Sequence, residues 1–132
     1  MTNHRNHTST MRAAAGLEIE TERVGEAVVC ALSGDLHLDN EVELREALAR
    51  ALDVAPTLLA VDLSAVVLLT SSGLNVLLTT RRRALARKVP FVVLAPSPLA
   101  RRVLRITRAD LVLPVHPSLE GAMRHERRSP RV

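Results

Sequence analysis

The chain has 132 residues, of which 47% are hydrophobic and only 1% aromatic, so its core must be built from aliphatic side chains. This length fits one domain. No apolar run approaches the roughly 20 residues that a membrane span needs, and the N-terminus lacks the apolar centre of a signal peptide, so we expect a cytoplasmic protein without a membrane partner. A single cysteine, Cys30, excludes an internal disulfide and lies in an apolar run typical of a core position.

The net charge of +4 does not predict a nucleic-acid-binding protein, because the basic surplus lies at the two ends. Residues 1–15 contain two arginines and no acid, and residues 124–132 contain four arginines and one glutamate. Two polar, basic ends indicate solvation or loose association rather than a surface that reads bases. Tryptophan and tyrosine, which stack on single strands, are absent from the sequence. We therefore expect no direct contact with nucleic acid.

The remaining body is divided into an acidic and a basic half. Residues 16–80 contain eleven acidic and three basic residues, whereas residues 81–123 contain nine basic and two acidic ones. Two interpretations stay open from the sequence. The halves neutralise each other within a compact fold, or they form two surfaces of opposite potential.

The first half of the chain predicts a tail, a hairpin and a helix. Residues 1–15 are polar and without periodicity, which predicts a disordered N-terminal tail. From Leu17, apolar and acidic residues alternate as in a half-buried strand, and AVVCAL predicts a second, more buried strand after a turn. Leucine and alanine then recur at helical spacing in NEVELREALARALDV, with Asp39 or Asn40 available to cap this helix.

The second half alternates strands with helices. TLLAVDL and FVVLA are continuous apolar runs, typical of strands buried on both faces, and a helical pattern follows each of them. In the helix after FVVLA, the spacing of Leu99, Val103 and Ile106 marks an apolar face. A short strand, LVLPV, and a last helix capped by Ser118 follow. Residues 125–132 are predicted to be a basic C-terminal tail.

The order of elements, ββαβαβαβα, predicts an α/β fold in a single domain over residues 16–124. Strands that alternate with helices pair in parallel through right-handed crossovers, while the opening hairpin adds an antiparallel pair. We expect a mixed, mostly parallel sheet of about five strands with about four helices.

Three hydroxyl residues, Thr70, Ser71 and Ser72, stand between an apolar run and a helix, and Gly73 follows them. A hydroxyl at this place can cap the free N–H groups of the first helical turn. One residue suffices for a cap, however. A serine at a helix N-terminus also suits phosphorylation, because the positive end of the helix dipole meets the added charge. On the residues alone, capping and modification both stay open.

The sequence lacks the residue patterns of common enzyme sites. The five histidines are scattered, and no pair has the spacing of metal ligands on a firm element. The glycines do not form a phosphate-binding loop, and neither Ser71 nor Ser72 has the glycine two residues earlier that a nucleophile elbow requires. We expect no enzyme activity, no metal and no cofactor.

The stretch VDLSAVVLLTSSGLNVLL resembles the signature of anti-sigma factor antagonists in the STAS (sulfate transporter and anti-sigma factor antagonist) domain family. In that signature a strand ends in Asp-Leu-Ser, an apolar link follows, and Asp-Ser-Ser-Gly-Leu starts a helix. ALSGDLHLDN is similar to the family's Gly-Glu-Leu-Asp turn, and VLAPSPLARRVLRITRADLVLPVHPSLEGAM is similar to its ending. The resemblance covers roughly residues 16–124 and implies a STAS-like domain with the same order of elements.

The resemblance also implies a partner switch. The unmodified protein binds an anti-sigma factor with serine-kinase activity and so frees the sigma factor. Phosphorylation of the first serine after the family's aspartate weakens this complex, and a phosphatase restores it. By position that serine is Ser71, with Ser72 and Thr70 as alternative acceptors. We expect a monomer or a weak homodimer.

The partner is expected to contact the turn after the second strand and the start of the helix that follows the hydroxyl residues. The predicted contact residues are Asp35, Asp39, Thr70, Ser71, Ser72, Gly73 and Asn75. Three positions depart from the family pattern: Thr70 and His37 replace aspartates, and Asp110 replaces a glycine. The alternative function is a non-phosphorylated STAS scaffold or binding module in a larger signalling or transport assembly.

Overall fold

The structure, a computed structural model, describes residues 7–13 and 16–128 and places the side chains of residues 10 and 16–126. Its strands are β1 (His7–Ala13), β2 (Leu17–Val24), β3 (Ala27–Leu36), β4 (Leu58–Leu69), β5 (Phe91–Leu94) and β6 (Val115–His116). Its α-helices are α1 (Glu41–Asp53), α2 (Ser71–Ala86), α3 (Pro98–Ile106) and α4 (Leu119–Arg128). Two short 3-10 helices, η1 (Leu38–Asn40) and η2 (Ala109–Leu111), precede α1 and follow α3.

The strands form one mixed sheet in chain order, from β1 at one edge to β6 at the other. The first three strands pair antiparallel, and β3 to β6 pair in parallel. Each parallel connection contains a helix, which gives the chain the length that such a crossover needs. The predicted α/β class, the order ββαβαβαβα from β2 onward and the mixed, mostly parallel sheet with four helices are confirmed.

The first strand, β1, corrects the prediction that residues 1–15 are disordered. His7–Ala13 pair antiparallel with β2 along their whole length. The segment HTSTMRA has no apolar alternation, so hydrophobic periodicity gives no signal for a strand. Threonine nevertheless favours extended backbone, and an edge strand is held by main-chain hydrogen bonds. Residues 1–6 and 14–15 of the predicted tail lie outside the described residues.

The last helix extends beyond the predicted domain boundary at residue 124. The Oγ of Ser118 accepts a hydrogen bond from the N–H of Gly121 (3.1 Å), as the sequence predicts for the start of α4, and the helix continues to Arg128. The segment MRHERR contains no proline or glycine, so nothing in it ends the helix at residue 125. Residues 129–132 of the predicted basic tail lie outside the described residues.

Two clusters of aliphatic side chains cover the two faces of the sheet. The larger cluster joins alternate residues of β2 to β5 with α1, α2 and α3, and the smaller one lies on the opposite face with α4. In β3, Val28 and Cys30 face the larger cluster, while Ala27 belongs to the smaller one. Cys30 is therefore a core residue as predicted, and burial raises the pKa of its thiol to about 11.

Helix α3 forms as the sequence predicts, and the residues that it buries are not the ones whose spacing marks its apolar face. Its buried residues are Ala100 and Leu104. The Oγ of Ser97 sets this orientation, because it donates to the carbonyl of Val66 in β4 (2.7 Å) and accepts from the N–H of Ala100 (3.1 Å). The small side chain of Ala100 then faces the core. Of the three residues at helical spacing, Val103 is half-buried and packs against the larger cluster, whereas Leu99 and Ile106 are exposed.

Two histidines meet between β6 and α4. The rings of His116 and His125 lie with their centroids 5.3 Å apart. The pKa of His116 is lowered, first by burial and then by the nearby His125, while Glu126 acts in the opposite direction. Protonation of His116 is therefore less favourable in the folded protein than in the unfolded chain.

We expect the protein to lose stability as the pH falls from about 7.5 to about 5.5, the range in which histidine titrates. Because the pKa of His116 is lower in the folded state, the unfolded chain binds more protons in this window, so the free energy of unfolding decreases with decreasing pH. Urea unfolding at both pH values measures the change. The variant His116→Gln should lose less stability than the wild type, and an equal loss would contradict this role of His116.

Candidate functional site

The junction between strand and helix lies where the sequence predicts it. β4 ends at Leu69 and α2 begins at Ser71, and Thr70 between them has the extended backbone of an N-cap residue, with φ −95° and ψ 175°. The carbonyl of Thr70 accepts the first helical hydrogen bond, from the N–H of Leu74 (2.9 Å). The predicted change from strand to helix at the hydroxyl residues is confirmed.

The side chain of Thr70 does not cap α2, although the sequence suggests that it could. Its Oγ1 donates to the carbonyl of Leu36 (3.0 Å), and its backbone N–H donates to the same carbonyl (3.0 Å). Leu36 is the last residue of β3, and its carbonyl can accept two donors because it carries two lone pairs. The hydroxyl of Thr70 therefore joins the ends of two parallel strands instead of satisfying the helix.

The start of α2 is consequently left without a side-chain cap. The first N–H groups of a helix have no partner inside the helix, and they carry the positive end of its dipole. Ser71 is exposed and Ser72 is half-buried. Neither hydroxyl is bonded to another residue in the described part of the chain. An anion on Ser71 would meet free N–H groups.

The third residue of α2, Gly73, allows the helix to approach the end of β3. It is buried, and a Cβ on this residue would lie 2.6 Å from the Cβ of Leu36 and 2.9 Å from its carbonyl oxygen. Both distances are shorter than an ordinary contact, so a larger residue would push the helix away from the strand. Leu36 thus fixes both the residue before α2 and the first turn of the helix.

A glycine near the end of β3 allows this strand to approach the start of β2 closely. Gly34 has φ +106°, and a Cβ on it would lie 2.0 Å from the carbonyl oxygen of Gly16. That carbonyl accepts from the N–H of Asp35 (3.2 Å). The half-buried side chain of Asp35 reaches the same place, since a Cβ on Gly16 would lie 3.4 Å from its Oδ2. The carboxylate of Asp35 therefore lies beside the start of β2.

Two polar residues, His37 and Asn40, hold the turn that leads into α1. The buried Asn40 accepts from the N–H of His37 through Oδ1 (3.1 Å) and donates through Nδ2 to the carbonyl of Asp35 (2.7 Å). The Nδ1 of His37 accepts from the N–H of Asp39 (3.1 Å), so this histidine supplies an acceptor where the family pattern has aspartate. Asn40 occupies the N-cap position of α1, but its side chain makes no capping bond and serves the turn instead.

Part of the predicted site lies around Leu36. Thr70 and Gly73 contact it directly, and the two serines lie between them in the chain. Asp39 in η1 and Asn75 in α2 are both exposed. The roles of His37 and Asn40 in this arrangement follow from hydrogen bonds that the sequence pattern does not indicate. The asparagine in a turn that precedes a helix is the one signal that could have pointed to them.

Four exposed aliphatic side chains flank the site, and the sequence does not distinguish them from core residues. Leu38 in η1 is 68% exposed and Val67 in β4 is 63% exposed, and Val42 and Leu68 accompany them. In a short apolar run, the sequence does not indicate which side chains will be buried and which will stay exposed. Together with the polar residues of the site, they form a mixed surface of the kind that protein partners bind.

In residues 16–126 the structure contains no group of three or more histidine, cysteine, aspartate or glutamate side chains that could hold a metal ion. None of the helices over the described ranges is long and apolar enough to cross a membrane. Cavities of about 290 and 390 Å³ lie beside α3 and α4, and neither is lined by Thr70 or Ser71.

The fold and the junction match a known family. Residues 19–114 match the family model described as "Mlab, STAS domain". This match covers well over half of the chain, with β2 to β5 and the helices α1 to α3. The chain therefore belongs to the STAS domain family, which confirms the resemblance seen in the sequence.

Within this family the chain is similar to anti-sigma factor antagonists. It is 30% identical over 95 residues to the anti-sigma-F factor antagonist RsfB of Mycobacterium tuberculosis, which covers 72% of this chain and 77% of RsfB. An anti-sigma factor antagonist from Mycobacterium paratuberculosis superposes with a TM-score of 0.74 and 28% identity over 89% of this chain and 99% of the other. These relatives are named as regulatory antagonists and not as enzymes.

The anti-sigma factor antagonist SpoIIAA shares the fold in two forms. Its unphosphorylated form superposes with a TM-score of 0.64 and 20% identity over 96% of this chain and 99% of SpoIIAA. The phosphorylated form of the Bacillus protein gives a TM-score of 0.58 and 20% identity over 90% and 98% of the two chains. The predicted STAS architecture is thus found in solved structures.

We expect Gly73→Ala to destabilise the protein by about 1–3 kcal/mol, because its new Cβ would overlap with Leu36. Urea unfolding measures the loss. Gly121→Ala is the matched control, since Gly121 is also the third residue of a helix and the atom nearest to an added Cβ is the Oγ of Ser118 at 3.4 Å. Wild-type stability of Gly73→Ala would show that α2 does not need this close approach.

The variant Asn40→Ala should also lose about 1–3 kcal/mol, because it removes the donor and the acceptor that a buried side chain supplies to the turn. Thermal unfolding and the amide exchange of His37 measure the effect. Asn75→Ala provides the comparison, since this exposed asparagine should change stability by less than about 0.5 kcal/mol. Similar losses in the two variants would mean that Asn40 does not hold the turn.

Proposed function

We propose that this protein is an anti-sigma factor antagonist that binds an anti-sigma factor with serine-kinase activity, and that phosphorylation of Ser71 controls the complex. The observation that carries the proposal is the exposed hydroxyl of Ser71 at a helix N-terminus without a side-chain cap. The partner contacts the two segments that are joined at Leu36, which are the turn from Gly34 to Asp39 and the start of α2. Binding needs no cofactor.

Among the three hydroxyl residues, Ser71 is the best acceptor. The hydroxyl of Thr70 is bonded to Leu36, so a kinase would have to break that hydrogen bond first. Ser72 is half-buried beside the buried Gly73. Ser71 is exposed, and its hydroxyl makes no competing bond to another described residue. Ser72 and Thr70 stay as alternative acceptors for the experiment below.

A phosphate on Ser71 would replace the missing cap. It adds a charge of about −1.5 to −2 and three acceptor oxygens close to the free N–H groups of the first turn. The first turn of α2 contains no acidic residue that would repel it. We therefore expect the fold to tolerate phosphorylation, so that the modification acts on the surface and not on stability.

The same phosphate would change the surface that a partner contacts. In the unmodified protein this surface combines exposed aliphatic side chains, such as Leu38 and Val67, with the hydroxyl of Ser71. A phosphate would have to be desolvated in the complex, and it would add to the negative charge of Asp39. Phosphorylation therefore weakens the binding of a partner that fits the unmodified surface, and a phosphatase restores it.

The relatives support this proposal. RsfB, at 30% identity, is named as an antagonist of an anti-sigma factor. SpoIIAA, which shares the fold, occurs in an unphosphorylated and a phosphorylated form. From the family resemblance we further propose that the protein acts in the cytoplasm as a monomer or a weak homodimer.

A second candidate function is a STAS scaffold that is not phosphorylated and holds a signalling or transport assembly together. Thr70 favours it, because a tethered hydroxyl stands where the family signature has a carboxylate beside the acceptor. Such a scaffold would bind its partner equally well with or without a negative charge on residue 71.

Affinity capture from the native cell with the wild type, Ser71→Ala and Ser71→Glu tests the switch. We expect the first two to retain an anti-sigma factor with serine-kinase activity and Ser71→Glu to retain at least about tenfold less, because an unpaired charge at an interface is costly to desolvate. Quantitative mass spectrometry of the captured proteins measures the ratio.

The matched control is Ser64→Glu, which adds the same charge at an exposed serine of β4 outside the site. Ser71→Glu should keep wild-type stability, since an acid in the first turn of a helix is favourable, and unfolding then cannot explain lost binding. Equal capture by all four proteins would exclude the switch and favour the scaffold. Incubation of the captured kinase with ATP and the variants Ser71→Ala, Ser72→Ala and Thr70→Val identifies the acceptor.

A further inference from the structure

A second exposed surface lies on α3 and the segment around η2. This α3–η2 surface consists of Leu99, Arg101, Arg102, Arg105, Ile106, Arg108, Leu111 and Val112. Its aliphatic residues are far from buried, since Ile106 is 70% and Leu111 is 74% exposed. Single exposed aliphatic side chains are common, but four of them within 14 residues indicate a contact surface.

The arginines of this surface have no acidic partners. In the part of the chain that the structure describes, Arg101, Arg102, Arg105 and Arg108 take part in no ion pair, whereas Arg87 is paired with Asp53. Arg101 and Arg105 are one helical turn apart, so their like charges repel each other and destabilise α3 slightly. The cost is removed when a ligand brings carboxylates to this place.

A cavity opens beside these arginines. Its volume is about 290 Å³, and it is lined by Pro96, Arg101, Leu104, Arg105, Asp110 and Val115. Its lining combines three apolar residues with two guanidinium groups and the carboxylate of Asp110, so a partner can insert an aliphatic side chain here and place a carboxylate beside the arginines. The α3–η2 surface therefore offers both an anchor and charge recognition.

The charge and the aliphatic residues of this surface favour an acidic protein partner over a lipid surface or a nucleic acid. The positive charge of the arginines attracts an acidic partner, and the exposed aliphatic residues can pack against apolar side chains of that partner. A lipid surface fits less well, because no tryptophan or tyrosine is available for the headgroup region and Asp110 lines the cavity. Nucleic acid fits less well too, because exposed isoleucine and leucine side chains cannot form hydrogen bonds or ion pairs with phosphates.

We propose that the α3–η2 surface binds an acidic amphipathic helix of a partner protein. The leucine-type residues of that helix pack on Ile106 and Leu111, and its carboxylates pair with Arg101 and Arg105. This surface belongs to other elements than Ser71, so the protein has a second binding site besides the proposed switch. The two proposals can fail independently.

The test uses a labelled synthetic peptide of about 16 residues, with leucines at helical spacing on one side and glutamates on the other. Fluorescence polarisation should show saturable binding to the full chain with a dissociation constant between about 1 and 100 µM, the range of small, transient interfaces. NMR chemical-shift changes at residues of α3 and η2 should show that the peptide binds there. Binding should be unchanged within about twofold in Ser71→Glu, since that residue lies on other elements.

Two pairs of matched variants distinguish a specific surface from general attraction. Arg101→Glu/Arg105→Glu should weaken peptide binding at least about tenfold, whereas Arg82→Glu/Arg83→Glu on α2, with the same charge change, should weaken it no more than about twofold. Ile106→Ser should weaken it several-fold, and Leu85→Ser, an exposed leucine of α2, should not. All six side chains are exposed, so the variants should fold.

Three outcomes would overturn the proposal. Equal losses in the two double variants would mean that only net charge attracts the peptide. Undiminished binding of a peptide whose leucines are replaced by serine would mean that any polyanion suffices. Binding to vesicles of phosphatidylglycerol and phosphatidylcholine that depends on Ile106, without binding of the peptide, would assign the surface to a lipid bilayer.

Discussion

The carbonyl of Leu36, together with the absence of a side chain on Gly73, holds together the end of the domain that carries the proposed site. One carbonyl accepts both donors of Thr70, and the first turn of α2 packs against the same residue at a distance that leaves no room for a Cβ. The end of β3, the end of β4 and the start of α2 are therefore one rigid unit. The position of Ser71 follows from this unit, because the residue directly follows Thr70.

This use of Thr70 has a consequence for charge. A hydroxyl that donates to a strand carbonyl does not accept from the helix, so the N–H groups at the start of α2 stay available. The neighbouring turn is built in the opposite way, with the polar atoms of Asn40 and the Nδ1 of His37 all used inside the protein. The turn before α1 thus has its polar side chains hydrogen-bonded inside the protein. The start of α2 has free N–H groups beside the exposed hydroxyl of Ser71.

The acidic and the basic half of the chain are joined by an exposed ion pair. Arg87–Asp53 is an ion pair between the halves, but both side chains are largely exposed, so its contribution is small. Arg45–Glu41 lies within the acidic half, and Arg124–Glu120 joins the basic half to the C-terminal end. The arginines of α3 project from the domain without such partners.

By itself the sequence determined the order of strands and helices, the core position of Cys30 and the junction at Thr70, because apolar spacing reports which side chains leave water. It missed β1, whose polar residues carry no apolar period, and the apolar spacing in α3 did not show that Ala100 and Leu104 are its buried residues. Only the tertiary structure decided which hydroxyl is bonded inside the protein and which is exposed. Thr70 could cap a helix or tether a strand, and a carbonyl 34 residues earlier in the chain determined which. Local pattern cannot contain that information, since it depends on which distant group comes within hydrogen-bonding reach.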